Sequence, residues 1–140
     1  MSPLGEHERG AIRELFADLE RDVAILLELG PEEAPPVTVL AGGREIDFGD
    51  ETKLLLEQLA QLSDRIDLTV TETETPGRWP KTTVADGLVY HGLPWGYELT
   101  TIVGAIVEAG RTTPSLSHAS LATLASLEQD VALEVYVTPT

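Results

Sequence analysis

Residues 78–99 read RWPKTTVADGLVYHGLPWGYEL, and two signals in this stretch organise the rest of the chain. The pair Asp86-Gly87 favours a tight turn, which predicts a β-hairpin with a return strand at Leu88–His91. Gly96 then opens a predicted helix whose apolar residues recur at helical spacing until Gly110, a residue that favours helix ends. The stretch therefore predicts a strand, a turn, a second strand and a helix.

The chain before this stretch predicts alternating helices and strands. Apolar residues spaced by three and four between Glu6 and Arg21 predict an amphipathic helix. The apolar run from Val23 to Leu29 is closed by Gly30-Pro31, and its length favours a buried strand. Residues 37–48 contain two short apolar runs around Ala41-Gly42-Gly43, which predicts a hairpin.

Two further helices and two further strands complete the prediction. Asp50 is predicted to cap a helix that runs to about Leu62, and residues 66–71 alternate between apolar and polar side chains as a half-buried strand does. Ser117 is predicted to cap a last helix. Residues Val131 to Val137 alternate in the same way and predict a final strand.

Composition limits the classes of protein and partner. A chain of 140 residues, 42% of them hydrophobic, is long enough for one compact domain. No apolar run approaches the roughly 20 residues that span a membrane, and the N-terminus lacks a basic start followed by an apolar stretch, so we expect a cytoplasmic protein. The 24 acidic against 9 basic residues give a net charge of −15, which argues against nucleic-acid and membrane partners. This charge indicates either a solvated surface or recognition of a basic partner.

Catalytic motifs are missing from the sequence. The chain has no cysteine, and thiol chemistry requires a thiolate nucleophile. His7, His91 and His118 are far apart in sequence, so we expect no metal site, and nothing indicates a cofactor. His91 lies in an alternating strand, and Glu98 is predicted to interact with the free N–H groups at the start of a helix. We therefore predict no catalytic residue.

Two motifs in residues 78–99 nevertheless resemble a known fold. Arg78-Trp79-Pro80 resembles the segment that carries the cis-proline of thioredoxin-like domains, and residues 92–98 resemble the turn into their last helix. The whole chain resembles the tandem thioredoxin-fold region of two relatives, the glutaredoxin-like protein disulfide oxidoreductases and the N-terminal domain of the flavin-containing component of alkyl hydroperoxide reductase. The resemblance implies an α/β (α+β) class, a thioredoxin-like three-layer α/β/α arrangement with a mixed central sheet.

The resemblance also implies where redox sites would lie. Residues Ile46, Asp47, Phe48 and Gly49 fall where the disulfide oxidoreductases carry Cys-x-x-Cys, so this site is lost here. Residues 1–110 would form the first thioredoxin-like domain, and residues 111–140 would begin a second unit or complete the sheet. The final strand ends at the point where relatives continue into a second Cys-x-x-Cys.

A peptide- or partner-binding site is expected at four consecutive residues: Trp79, Pro80, Lys81 and Thr82. If Pro80 follows a cis peptide bond, it would keep a strand edge free for an extended peptide; the alternative is an ordinary turn proline. Trp79 would line the peptide groove, or else it would fill the edge of the domain.

Three functions remain open. The first is a redox-inactive scaffold or docking domain that binds a protein partner or an adjacent redox domain. The second is the N-terminal part of a thiol-disulfide oxidoreductase whose Cys-x-x-Cys follows Thr140. The third is a cofactor-free enzyme that uses carboxylates and His91, but no sequence motif supports this function. We favour the first, and a homodimer is a further alternative because an exposed apolar edge strand needs a partner.

Overall fold

A computed structural model of the chain describes residues 4–31 and 47–137. These residues form four helices and four strands in the order α1 (Glu6–Phe16), β1 (Val23–Leu29), α2 (Phe48–Ala60), β2 (Ile66–Glu72), β3 (Lys81–Val84), β4 (Leu88–His91), α3 (Tyr97–Ala109) and α4 (His118–Ala125). No helix in these ranges is long and apolar enough to cross a membrane.

The four strands form one mixed sheet in the order β2-β1-β3-β4. β1 runs parallel to β2, whereas β3 is antiparallel to both β1 and β4. The predicted β3–β4 hairpin is confirmed, and its turn includes Ala85 at a φ of 50°. The predicted α/β class with a mixed central sheet is confirmed as well.

The core lies against one face of this sheet, which we call the core face. Ile25 is paired with Leu68 on β2 and Val84 on β3, and side chains of paired residues point to the same side. Every sheet residue in the hydrophobic core belongs to this face, together with apolar side chains of α1, α2 and α3. Leu27, with 0% of its surface exposed, is at the centre. Burying one such leucine contributes about 1.5–3 kcal/mol relative to leaving it exposed.

The opposite side of the sheet, which we call the open face, contributes nothing to this core. Its side chains are exposed or half-buried, and most of them are polar. The open face consists of Ala24, Leu26, Glu28, Asp67, Thr69, Thr71, Lys81, Thr83, Val89 and His91. The described residues thus supply a helical layer over the core face and leave the open face in contact with solvent.

Two helix boundaries differ from the sequence prediction. α1 ends at Phe16 rather than Arg21, because the N–H groups of Glu20 and Arg21 both bind the carbonyl of Gly110, at 2.8 and 3.2 Å. These contacts to the end of α3 replace helical bonds, and the preceding residue, Leu19, is buried.

α2 starts earlier than predicted. Asp47 is its cap and accepts a hydrogen bond from Asp50 N at 3.0 Å, so Asp50 lies in the first turn and does not cap the helix. Phe48, predicted as the end of a hairpin strand, is the first residue of α2. The rest of that predicted hairpin, residues 37–46, lies outside the described residues.

Of the two elements predicted for the C-terminal part, the structure contains the helix but not the strand. α4 is confirmed, with Ser117 accepting a hydrogen bond from Ser120 N at 3.1 Å. The predicted strand Val131–Val137 is wrong, because residues 131–137 pair with no strand in the described part of the chain. Leu133 and Val135 are 87% and 81% exposed. An alternating pattern produces a strand only where a neighbouring strand receives its N–H and C=O groups, and residues 4–31 and 47–137 provide no such neighbour.

Candidate docking site

Trp79 lies in the loop between β2 and β3 and is held there on two sides. Its indole nitrogen donates a hydrogen bond to the carbonyl of Thr75 at 2.9 Å. Gly30 and Gly77 pack so closely against the ring that an added Cβ would lie 2.6 and 2.9 Å from the indole nitrogen. The ring is half-buried, so it fills the edge of the domain and leaves only part of its surface for a partner.

The peptide bond between Trp79 and Pro80 is cis, as the resemblance implied. Pro80 itself is buried, and its carbonyl accepts a hydrogen bond from Gly92 N at 2.8 Å. That bond joins the start of β3 to the residue that follows β4. Pro80 therefore closes the hairpin at its open end.

Lys81 and Thr82 point to opposite sides of the sheet. Lys81 is on the open face, where its ammonium lies 3.2 Å from Glu28 Oε2. Thr82 is fully buried on the core face, and in the part of the chain that the structure describes its hydroxyl has no hydrogen-bond partner. Of the four residues predicted to bind a partner, Trp79 and Lys81 are therefore partly accessible, while Pro80 and Thr82 lie inside the domain.

The predicted position of the lost redox site lies at the start of α2. Asp47, Phe48 and Gly49 form its cap and first turn, and Ile46 lies outside the described residues. A Cβ on Gly49 would lie 3.4 Å from Leu29, the last residue of β1. Because Gly30 follows Leu29 and touches Trp79, the end of β1 brings the start of α2 and the Trp79 loop together.

The N-terminus of α2 is occupied by a carboxylate. Helix N-termini carry free N–H groups and a partial positive charge, which in thiol enzymes stabilise a thiolate. Here the side chain of Asp47 accepts one of those N–H groups, and Asp50 and Glu51 lie in the first turn. The start of α2 therefore favours a negative charge, and the carboxylates of Asp47, Asp50 and Glu51 provide that charge.

A second feature was not predicted from the sequence. A cavity of about 330 Å³ lies between β4 and residues 133–137, with Arg78 at its margin. His91 donates from Nδ1 to the carbonyl of Arg78 at 2.8 Å, which fixes the ring beside the cavity. The sequence prediction missed this cavity because it placed residues 131–137 in a paired strand.

Solved structures with the same arrangement of elements establish the fold. A mutant form of the alkylhydroperoxide reductase AhpF from Enterococcus faecalis matches 89% of this chain with a TM-score of 0.70 and 19% sequence identity. The NTD_N/C domain of that reductase matches 90% of the chain with a TM-score of 0.70 and 18% identity. A protein disulfide oxidoreductase from Aeropyrum pernix matches 88% of the chain with a TM-score of 0.69 and 19% identity.

The chain has a thioredoxin-like fold. It spans only part of each of these solved structures: 61%, 62% and 55% of their respective lengths. No protein-family model and no curated protein matches the sequence.

This thioredoxin-like fold buries one carboxylate that the sequence placed at a helix end. Glu98 lies in the first turn of α3 as predicted, but it is only 8% exposed, and its Oε2 atom has no hydrogen-bond partner among the described residues. Burial, followed by the charge of Glu98, raises the pKa of the nearby Tyr90 hydroxyl. Tyr90 in turn lines the cavity beside β4.

The described residues of the thioredoxin-like fold contain no cluster of three or more metal-ligating side chains. Of the three histidines, His91 contacts a backbone carbonyl, and His118 is the first residue of α4. The features that remain for function are the Trp79 loop, the capped start of α2 and the cavity beside β4.

Proposed function

We propose that this chain is a cysteine-free docking or scaffold domain related to the thioredoxin-like domains of disulfide and peroxide reductases. The observation that carries the proposal is the start of α2, where Asp47 caps the helix in a chain without cysteine. The fold provides the platform of a thiol enzyme, but the two positions where Cys-x-x-Cys would have its cysteines hold Ile46 and Gly49, and Asp47 between them is a structural helix cap.

The exposed apolar side chains support a docking role. Half or more of the surface is exposed for a series of apolar side chains in and after α4: Leu124, Leu127, Val131, Leu133, Val135, Tyr136 and Val137. A concentration of exposed apolar side chains in one segment of a chain favours an interaction site. No residue of α4 is buried, so the helix does not contribute to the core. The partner would be another protein or an adjacent redox domain in the cytoplasm.

A second candidate function rests on the same residues. Residues 1–110 would be the first fold of a longer thiol-disulfide oxidoreductase, and residues 111–140 would begin the second, with Cys-x-x-Cys after Thr140. The favouring observation is that the chain spans about three fifths of the two reductase structures it matches. In that protein, residues 131–137 would gain a strand partner that the described residues lack.

The intact mass of the protein as made in its own organism separates these two functions. A mass near 15.1 kDa supports the stand-alone docking domain, and a mass larger by a whole domain supports the oxidoreductase.

Reduction of insulin by dithiothreitol then tests the absence of thiol catalysis. The rate with this chain should equal the rate in buffer, and a rate that increases with the concentration of the chain would overturn the proposal. A dithiol thioredoxin serves as the positive control.

A further inference from the structure

We propose that the cavity between β4 and residues 133–137 binds an extended strand from a partner protein, with apolar residues alternating with basic ones. This inference rests on the proposed docking function and names the site and the chemistry of the partner. It is carried by the hydrogen-bonding pattern of β4, by the unpaired backbone of residues 133–137 and by the charges around them.

β4 is an edge strand whose outward backbone groups can be identified. Gly92 donates to Pro80, and these two residues face each other one step beyond the pair Lys81–His91. In an antiparallel ladder, hydrogen-bonded pairs alternate with pairs whose N–H and C=O groups point away from the partner strand. Counting back from Gly92, Tyr90 bonds to β3, whereas Val89 and His91 direct their backbone groups outward.

Both outward residues line the cavity. Val89 and His91 form one wall together with Tyr90 and Arg78, and residues 133–137 form the other. In the part of the chain that the structure describes, no second strand pairs with β4. An added strand would therefore meet free donors and acceptors, which is how edge strands recognise extended peptides.

The opposite wall offers apolar contacts. Leu133, Val135 and Tyr136 are each more than 80% exposed, and the described residues give the backbone of 133–137 no hydrogen-bond partner. A strand inserted beside β4 would cover these side chains with its own apolar residues. The cavity volume of about 330 Å³ is at the lower end of the range for small-molecule pockets, but one of its walls is the edge strand β4, and its lining residues include no buried polar side chain.

Charge selects the partner. Residues 112–137 contain no lysine or arginine. Glu134 lines the cavity opposite one cation, Arg78, and Glu128 and Asp130 line the neighbouring surface with Leu127 and Val131. A second copy of this chain would bring an equally acidic surface and a further net charge of −15, which disfavours self-association. A strand that carries lysine or arginine between its apolar residues would instead be attracted.

The experiment uses three five-residue peptides and amide NMR spectra of the intact chain. The probe is acetyl-Val-Lys-Val-Lys-Val-amide, the charge control replaces both lysines by glutamate, and the backbone control carries N-methyl groups on alternate residues. We expect the probe to shift the amide signals of Val89 and His91, and both controls to bind at least about tenfold more weakly, since each loses hydrogen bonds or ion pairing. If millimolar probe leaves both signals unmoved, or if the N-methylated peptide binds equally well, the inference is wrong.

A pair of variants gives an independent test. Val89→Pro removes one outward N–H and leaves the bonds to β3 intact, a position where edge strands accept proline. Val89→Ala keeps that N–H and controls for the lost side chain. The proline variant should weaken probe binding by about tenfold relative to the alanine variant. Equal binding by two folded variants would contradict the inference, and if the proline variant does not fold, the N-methylated peptide decides. Failure of these tests leaves the insulin and intact-mass results unaffected, so the broader docking function is judged separately.

Discussion

The indole ring of Trp79 lies directly against Gly30, at the end of β1. A Cβ added to the glycine would lie 2.6 Å from the indole nitrogen, the same atom that donates to Thr75 O at 2.9 Å. The ring therefore joins the end of β1 to the loop that precedes β3. Because the start of α2 also touches the end of β1, this contact determines the geometry of the Trp79 loop and the α2 cap together.

Gly30→Ala should destabilise the fold, because the added methyl group must displace the ring or break its hydrogen bond. We expect a loss of about 1–3 kcal/mol in the free energy of unfolding, measured by urea denaturation. Gly104→Ala is the control: it lies in α3 with nothing within 4 Å of the added atom, and it should stabilise by about 0.5–1 kcal/mol. Equal midpoints for Gly30→Ala and the parent chain would mean that the ring is not held as described.

Asp47→Ala tests the cap of α2. Loss of the carboxylate leaves the N–H of Asp50 without its acceptor and should cost about 1 kcal/mol in the free energy of unfolding. Asp47→Asn, which keeps an acceptor oxygen, should cost less. Asp64→Ala removes one exposed negative charge outside any helix cap, and it should be close to neutral. If the two alanine variants unfold at the same urea concentration, Asp47 does not stabilise α2.

The segment after α3 is attached to the domain through two carboxylates. Hydrogen bonds from the Ser115 backbone and hydroxyl to Glu108, at 2.9 Å each, hold the pKa of that carboxyl below its ordinary value of 4.5. The Thr112 hydroxyl, 2.7 Å from Glu20, does the same for the pKa of Glu20. Both pKa values are lowered in the folded state. The contribution of these contacts to stability is therefore fully present above pH 4.5, and it is lost as the pH falls through the lower pKa values of the folded state.

Ser115→Ala should weaken the first of these attachments. The backbone N–H remains, so the titration midpoint of Glu108, followed by NMR, should move only part of the way up toward 4.5. The midpoint of Glu20 should stay where it is, which makes it the internal control. A Glu108 midpoint that does not change in the variant would contradict a contribution from the hydroxyl.

Ionisation of the Tyr90 hydroxyl makes the stability of the fold depend on pH in the alkaline range. Burial and the charge of Glu98 raise its pKa above the ordinary value of 10.0, so the neutral form is favoured in the folded state. The stability that comes from the neutral Tyr90 hydroxyl is fully present below pH 10, and it is lost as the pH rises through the higher pKa of the folded state. Ultraviolet absorbance titration should show Tyr90 ionising above pH 10, and Glu98→Gln should lower the Tyr90 midpoint. A midpoint that is the same with and without the Glu98 charge would exclude an interaction between them.

Val135→Lys should leave the melting temperature unchanged, because the side chain is 81% exposed and its backbone has no strand partner among the described residues. Leu27→Ala, at a position with 0% exposure, is the contrasting variant and should cost about 2–5 kcal/mol in the free energy of unfolding. A clear loss of stability in Val135→Lys would show that residues 131–137 pair within the chain after all.

The sequence predicted those elements that depend on local chemistry. β1 matches its predicted bounds Val23–Leu29, and α3 lies between Gly96 and Gly110 as predicted. The β3–β4 hairpin forms around Asp86-Gly87, a pair suited to a tight turn. In these segments apolar periodicity, turn residues and helix caps all favour the same structure.

Features that depend on distant partners were not predictable. The carbonyl of Gly110 ends α1 early by binding Glu20 and Arg21, and no local signal indicates that contact. Residues 131–137 carry a strand pattern without a neighbouring strand in the described part of the chain, so periodicity alone gave the wrong element. For the candidate site, the sequence indicated the Trp79–Thr82 segment, but which of Lys81 and Thr82 faces the core depends on the sheet register. The cavity beside β4 could not be predicted, because it arises from two segments that are far apart in sequence.

The open face of the sheet has a consequence for how this protein can change in evolution. Its side chains take no part in the core, so their substitution leaves the packing of Ile25, Leu27 and Val84 untouched. A lineage can therefore alter the chemistry of this surface with little risk to folding, whereas the core face tolerates few replacements. We expect orthologous chains to keep their core-face residues similar in size while the open face diverges to follow each lineage's own binding partner.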